Sequence, residues 1–454
     1  MRATLRLMIP FIIQIKFEPP VISKPQTITQ KTTMRTILLS KTNPNLDVRL
    51  ETLLANEQIK HSTNLNLGLT EVPSSQAILK AQAILSSLQP LPDYNNLYSS
   101  FEEITINTAK VIFDCQYANV RSISSNQMYN TVLSALLSQN DTILGLDTKF
   151  GGSFDHNSTI TISNKTFKTI SYGIYPESGW ENIAENIAEL LSKTMTYRPR
   201  LIVASPVSCS STIDWFFFRR IADLVGALVL ADISHIAAQV ATKSLPSPLF
   251  HCDLITMATN TSLRGPSGGL ILTNKQPISE RISAYQNLND LPKSSISDLT
   301  TKAQSLAEVQ QPSFRAWMET LTANTHALTS GLSKRNINIS SNWPFNHQIP
   351  LNLTNLKITP SHAKHWLNRC YILITDPDPL FSLAWHHSSP RLSPLQSSIR
   401  SIPPHELRII SDMIGEALLS MKDNKPLPYP IETNIRMKVL SLADSYPVYI
   451  PYIL

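Results

Sequence analysis

The sequence predicts an α/β protein built on a mostly parallel sheet, and three stretches predict it. Arg198–Ser205 (RPRLIVAS) is a strand with its lead-in, and Gly226–Asp232 (GALVLAD) is a short, continuous apolar run, the composition of a parallel strand covered on both faces. Ile213–Leu224, which contains FFFRRIADL, lies between them with helical spacing, and a helix joining two such strands is a βαβ crossover. In Asp253–Leu272 (DLITMATNTSLRGPSGGLIL) an apolar strand ends at Thr259. A polar turn, a Gly-rich loop at Gly265, Gly268 and Gly269, and a second apolar run follow. In α/β folds ligands bind where a strand gives way to such a loop, and glycines there let backbone N–H groups approach a phosphate.

Composition sets the frame. A chain of 454 residues has room for two domains. Glycine is scarce at 12 residues, against about 7% of an average protein, so tight phosphate-binding turns are few. The 31 prolines predict many fixed turns and few long uninterrupted helices. Residues 1–48 hold seven Lys or Arg and two acids, +5 of a total of +6, which leaves +1 for the body. The body therefore has no basic excess of the kind that binds nucleic acid. Four cysteines (Cys115, Cys209, Cys252, Cys370) lie far apart with no CxxC pair. That pattern argues against a metal site or disulfide framework and for buried free thiols in a reducing compartment.

The elements along the body can be justified in order, and together they carry a resemblance. Leu65–Leu85 (LNLGLTEVPSSQAILKAQAIL) keeps Glu71, and Leu97–Phe113 has helical spacing. Cys115–Tyr129 (CQYANVRSISSNQMY), Leu144–His156 (LGLDTKFGGSFDH) and Asp232–Ala237 (DISHIA) follow. Pro312–Arg335 reads as a long helix, Leu351–Leu353 continues a strand after Asn346-His347, and Ile435–Tyr449 reads as a C-terminal helix and tail. These segments resemble serine hydroxymethyltransferases. The counterparts there are L-I-A-S-E-N-F-T-S-x-A-V-x-x-A-Q, Y-A-N-V-Q-P-x-S-G-S-Q-A-N, G-L-D-x-x-x-G-G-H-L-T-H, D-x-A-H-I-A and, over the loop, D-V-V-T-T-T-T-H-K-T-L-R-G-P-R-G-G. The resemblance runs in order from about residue 60 to 450.

The resemblance implies a fold type I pyridoxal-phosphate-dependent transferase: a mostly parallel seven-stranded sheet in a large domain, plus a smaller C-terminal α/β domain. The implied divisions are a leader over 1–48, an N-terminal arm and large domain over 49–310, and a linking helix and small domain over 311–454. It also implies pyridoxal phosphate as cofactor, one-carbon chemistry on serine, glycine and tetrahydrofolate, and a dimer with a shared site. The apolar faces of Leu97–Phe113 and Ile213–Asp232 are expected to be buried in that dimer.

The implied roles map unevenly onto this chain. Asp232 falls where the family pairs the pyridine nitrogen, and His235 where a histidine lies against the ring and its O3′ side. Ser124 and Ser125, with Asn126, replace the phosphate-cradling S-G-S, and Gly268 and Gly269 match the loop glycines. Thr261 stands at the lysine that forms the Schiff base, and there is no Lys between Lys243 and Lys275. Ser153 stands at the ring-stacking His, while His156 sits at the motif's second His. Pro90 and Pro92 replace a Tyr and a Glu given to the partner subunit. His386 stands at the substrate-carboxylate Arg, with Arg391 nearby as a substitute. Leu291–Ile296 (LPKSSI) replaces a G-G-P-H-N-H segment that reaches the partner's phosphate. The expected vestigial cofactor site is thus Asp232, His235, Ser124, Ser125, Gly268 and Gly269, with no metal, no intact catalytic set and no covalently bound cofactor. The expected function is that of a pseudoenzyme with a structural or regulatory role, as a homodimer or with an active paralogue. The alternative is a working hydroxymethyltransferase with an unusual site.

Residues 1–48 are basic, rich in Ser and Thr, and poor in acids, the composition of a transit peptide. Leu7–Ile15 is apolar but too short to span a bilayer, and Pro10 interrupts it. A secretory signal is the competing reading, without a clear small-residue cleavage site; Met34 is an alternative start. The expected destination is the mitochondrion, with another organelle or the cytoplasm as alternatives. A reporter fused behind residues 1–48 is expected to enter mitochondria, and a reporter that stays diffuse in the cytosol contradicts this.

Overall fold

The computed structural model describes residues 47–68, 72–86, 94–147, 166–173, 183–205, 213–339, 346–375 and 390–448. The chain forms two compact units, residues 1–59 and 60–454. The described part of the first is the opening of a helix, Val48–Thr63. Asp47 caps it, its Oδ1 accepting the Arg49 and Leu50 N–H groups at 2.9 and 3.3 Å. Apart from Asp47 and Val48 the expected leader, Met34 included, lies outside the described residues.

The second unit is organised by a seven-stranded sheet: β1 (Tyr117–Asn119), β2 (Thr142–Leu146), β3 (Lys168–Tyr172), β4 (Leu201–Ala204), β5 (Leu228–Asp232), β6 (Leu254–Ala258) and β7 (Gly269–Thr273). The order across the sheet is β1-β7-β6-β5-β4-β2-β3. All neighbours are parallel except β7, which runs antiparallel to both β1 and β6. The stretch Asp253–Leu272 is therefore a hairpin, with Ala258 opposite Gly269.

The continuous apolar strands have the predicted cause. In β4, Ile202 and Ala204 enter one core while Leu201 and Val203 enter another on the opposite face. The first face is covered by α1 (Tyr94–Phe113), α3 (Trp215–Asp223), α5 (Ile296–Val309) and the start of α6 (Pro312–Lys334). The second is covered by α2 (Ser125–Leu136) and α4 (Gln276–Leu288). Each fully buried Leu, Ile or Phe removed from water contributes about 1.5–3 kcal/mol, so a sheet covered twice holds its strand ends firmly. Those ends carry the site.

A further core gathers the second half of α6 and the C-terminal segments. Ile349–Asn352 pairs antiparallel with Asn338–Ile339 and Arg391–Leu392. Leu65–Asn66 pairs in parallel with Ile372–Leu373, and Leu65 and Leu67 are buried in this core. Chain from the N-terminal side thus completes this core.

Three expectations are corrected. The prolines do not shorten the helices: α1 has 20 residues and α6 has 23. Pro277, Pro312, Pro360, Pro404 and Pro430 each sit in a first turn, where no N–H is needed and the fixed φ suits a helix. For the same reason the C-terminal helix starts at Tyr429 rather than Ile435. The apolar residues of Ile213–Asp232 mostly feed the sheet core (Ile213, Trp215, Phe218, Ile221), leaving Phe216 and Leu224 exposed.

Candidate cofactor and active site

β5 ends at Asp232, β6 ends at Ala258, and α2 starts beside them at Ser125. Asp232 is 1% exposed. Its Oδ1 accepts the Ser234 N–H at 3.0 Å and the Ser234 hydroxyl at 2.6 Å. Its Oδ2 accepts the hydroxyl of Tyr129, which comes from α2. The Ser234 Oγ also accepts the Ala258 N–H at 3.0 Å. Thr261, just past the end of β6, donates its hydroxyl to the Ser234 carbonyl at 2.5 Å and to the Ala258 carbonyl at 3.3 Å. These contacts form one connected cluster. An isolated buried carboxylate costs several kcal/mol, and the cost falls only when donors satisfy its oxygens. Here the donors come from the chain itself.

The expected phosphate end is equally occupied. Ser124 is the N-cap of α2, and its Oγ accepts the Gln127 N–H at 3.1 Å. Ser125 opens the helix. The Gly269 N–H donates to the Ser122 carbonyl at 3.2 Å. A Cβ on Gly268 would lie 2.6 Å from Lys302 Cε and 2.8 Å from its Nζ, and one on Gly269 would lie 2.6 Å from Met128 Sδ. The open faces of both glycines are thus filled by neighbouring side chains. Lys302 donates to the Val120 and Ser122 carbonyls, each at 2.8 Å, and lies 2.8 Å from Ser294 Oγ. Burial pushes its ammonium down to about 7. The LPKSSI segment serves this arrangement. Ser294 holds Lys302, and Ser295 forms a capping box with Asp298 at the start of α5.

His235 is brought to the same end of the sheet, beside the C-terminal core. Its carbonyl is 2.9 Å from His347 Nε2, and His347 Nδ1 is 2.8 Å from Ser393 Oγ. A carbonyl only accepts, so Nε2 carries the proton and Nδ1 accepts the serine hydroxyl. Burial pushes His347 down to about 4. Burial also pushes His235 down to about 3, with His347 and Arg391 acting in the same direction. Both rings are neutral near pH 7. Arg391 is half-buried on a short strand opposite Pro350, near enough to His235 to repel its proton. Glu71, Pro90, Pro92, Ser153, His156 and His386 lie outside the described residues, as does Cys209. Cys115, Cys252 and Cys370 are buried free thiols, and burial raises all three. Among the described residues no group of His, Cys, Asp and Glu could hold a metal.

The structure thus brings Asp232, His235 and Thr261 together and sets Ser124, Gly268 and Gly269 at the start of α2. The described residues do not fit pyridoxal phosphate in the pose the resemblance implies. Both Asp232 oxygens already accept hydrogen bonds, one of them from Tyr129, Thr261 offers no amine, and the Gly269 amide is already bonded. Sequence reasoning missed Tyr129 and Ser234. Their signal was present: Tyr129 stands at the Asn closing Y-A-N-V-Q-P-x-S-G-S-Q-A-N, and Ser234 at the Ala of D-x-A-H-I-A.

Comparison with known proteins gives the family. Residues 47–378 match the serine hydroxymethyltransferase family. A serine hydroxymethyltransferase from Bartonella henselae is 32% identical over 90% of this chain and 96% of its own length. One from Rhizobium rhizogenes is 33% identical over 77% of this chain and 81% of its own, and one from Prochlorococcus marinus is 31% identical over 89% and 96%. Matched over most of its length, the chain belongs to the serine hydroxymethyltransferase family.

Proposed function

We propose that this chain is a serine hydroxymethyltransferase-like pseudoenzyme with a structural or regulatory role, working as the partner of an active paralogue in the mitochondrion. The observation that carries this reading is Thr261. It stands at the cofactor-lysine position, and its hydroxyl is bonded to the Ser234 and Ala258 carbonyls. A side chain held by two backbone acceptors makes no Schiff base and staples the loop instead. The leader's composition supports the destination.

A second reading, a working hydroxymethyltransferase of tetrahydrofolate-linked one-carbon metabolism, is favoured by Arg391, whose guanidinium near His235 is the kind of cation that clamps a carboxylate. That reading needs an amine from elsewhere. Lys302 is the lysine that folding brings to Gly268, and it is held by Val120, Ser122 and Ser294. Borohydride reduction of the full chain incubated with pyridoxal phosphate, followed by mass spectrometry, separates the two. No pyridoxyl-lysine is expected. One stoichiometric adduct on any lysine overturns the pseudoenzyme.

Association is supported by α1. Leu97, Ile104 and Val111 recur every seven residues and are 46%, 53% and 73% exposed, so they form an apolar stripe left outside the core. Exposed apolar surface of this kind is costly unless covered, and obligate dimers cover more than about 2,000 Å². Co-expression with an active paralogue, tagged pull-down and light scattering are expected to give a dimer, mixed or with itself. A monodisperse monomer at micromolar concentration, with no paralogue recovered, contradicts it.

A further inference from the structure

Three departures from the family pattern converge on one carboxylate. Tyr129 replaces an Asn, Ser234 an Ala and Thr261 the Lys, and each change brings a hydroxyl. They come from a helix, the loop after β5 and the loop after β6. The structure links all three: Tyr129 and Ser234 donate to Asp232, and Thr261 donates to the Ser234 carbonyl. Unconnected decay of a disused pocket would leave Asp232 buried and short of donors. Instead each lost contact has a replacement from the chain itself.

We infer that Tyr129 is an internal plug, its phenol occupying the place on Asp232 that a pyridine ring nitrogen would take. A phenol is a six-membered aromatic ring presenting one hydrogen-bond donor, the same demand that a protonated pyridine makes on a carboxylate. Tyr129 is 8% exposed and packs in the core beneath the start of α2, so it cannot leave Asp232 without opening that core. The cofactor-free chain is therefore the completed state, and pyridoxal phosphate is excluded from Asp232. The inference rests on the pseudoenzyme reading and adds to it. A missing lysine forbids a covalent bond, whereas the plug forbids binding of the ring at all.

The test uses pyridoxamine 5′-phosphate, which has the ring and phosphate but no aldehyde, so binding does not depend on any lysine. By calorimetry on the full chain, the wild type is expected to show no Asp232-dependent binding. Tyr129→Asn should bind at least roughly tenfold more tightly, as expected for gaining one charge-assisted hydrogen bond, and Tyr129→Asn/Asp232→Ala should lose that gain. Wild-type binding that Asp232→Ala abolishes would overturn the plug while leaving the absence of a covalent lysine standing. A folded Tyr129→Asn chain with no gain would overturn it too. If Tyr129→Asn does not fold, Tyr129→Phe, which keeps the ring and removes the donor, decides. Its loss of stability should shrink in an Asp232→Asn background, and strictly additive losses would overturn the inference.

Discussion

The buried carboxylate of Asp232 is the constraint around which this site is built. At the carboxyl end of a central strand, in a sheet covered on both faces, it has no access to bulk water. Such a group needs donors from somewhere. In an enzyme of this family the cofactor is one source of them. In this chain the same need is met by Tyr129 and Ser234, and the hairpin loop is tied into the arrangement by Thr261. The hydroxyls of Tyr129 and Ser234 thus meet within the chain the need of this carboxylate for donors.

Most of the scaffold is held by apolar packing. The strands contribute through side chains that alternate between two cores, and a third core joins Leu65 and Leu67 to the C-terminal segments. Tyr129 belongs both to one of these cores and to the polar cluster at the strand ends. His347 shows how the C-terminal core nevertheless reaches the site. It is buried and neutral, with one nitrogen on the His235 carbonyl and the other on Ser393. Lys302 makes a comparable brace between α5 and the segment entering α2. Each brace fixes backbone beside the candidate site.

Much of the fold was legible in the sequence. A short apolar run such as GALVLAD, bounded by turn residues, fits a strand buried on both faces, and the strand–loop–strand reading of Asp253–Leu272 became a hairpin. The prolines misled because their effect depends on position: in a first turn they favour a helix. At the site, Asp232, His235 and Thr261 were legible because a motif flanks them. Tyr129 departs from the same kind of motif, but its role was masked: a tyrosine at the fifth residue of an amphipathic helix also reads as core, and its partner lies 103 residues away. Lys302 escaped notice for the same reason: its acceptors are backbone carbonyls about 180 residues earlier, which no local pattern encodes.

The claim that the chain completes its own site is tested most directly by an experimental crystal structure of the full protein grown with excess pyridoxal phosphate. The expected density has the Tyr129 hydroxyl on Asp232 and the Thr261 hydroxyl on the Ser234 carbonyl, with no pyridine ring between α2 and the end of β5. A pyridine ring seated there with its nitrogen on Asp232, and Tyr129 swung away, would contradict it.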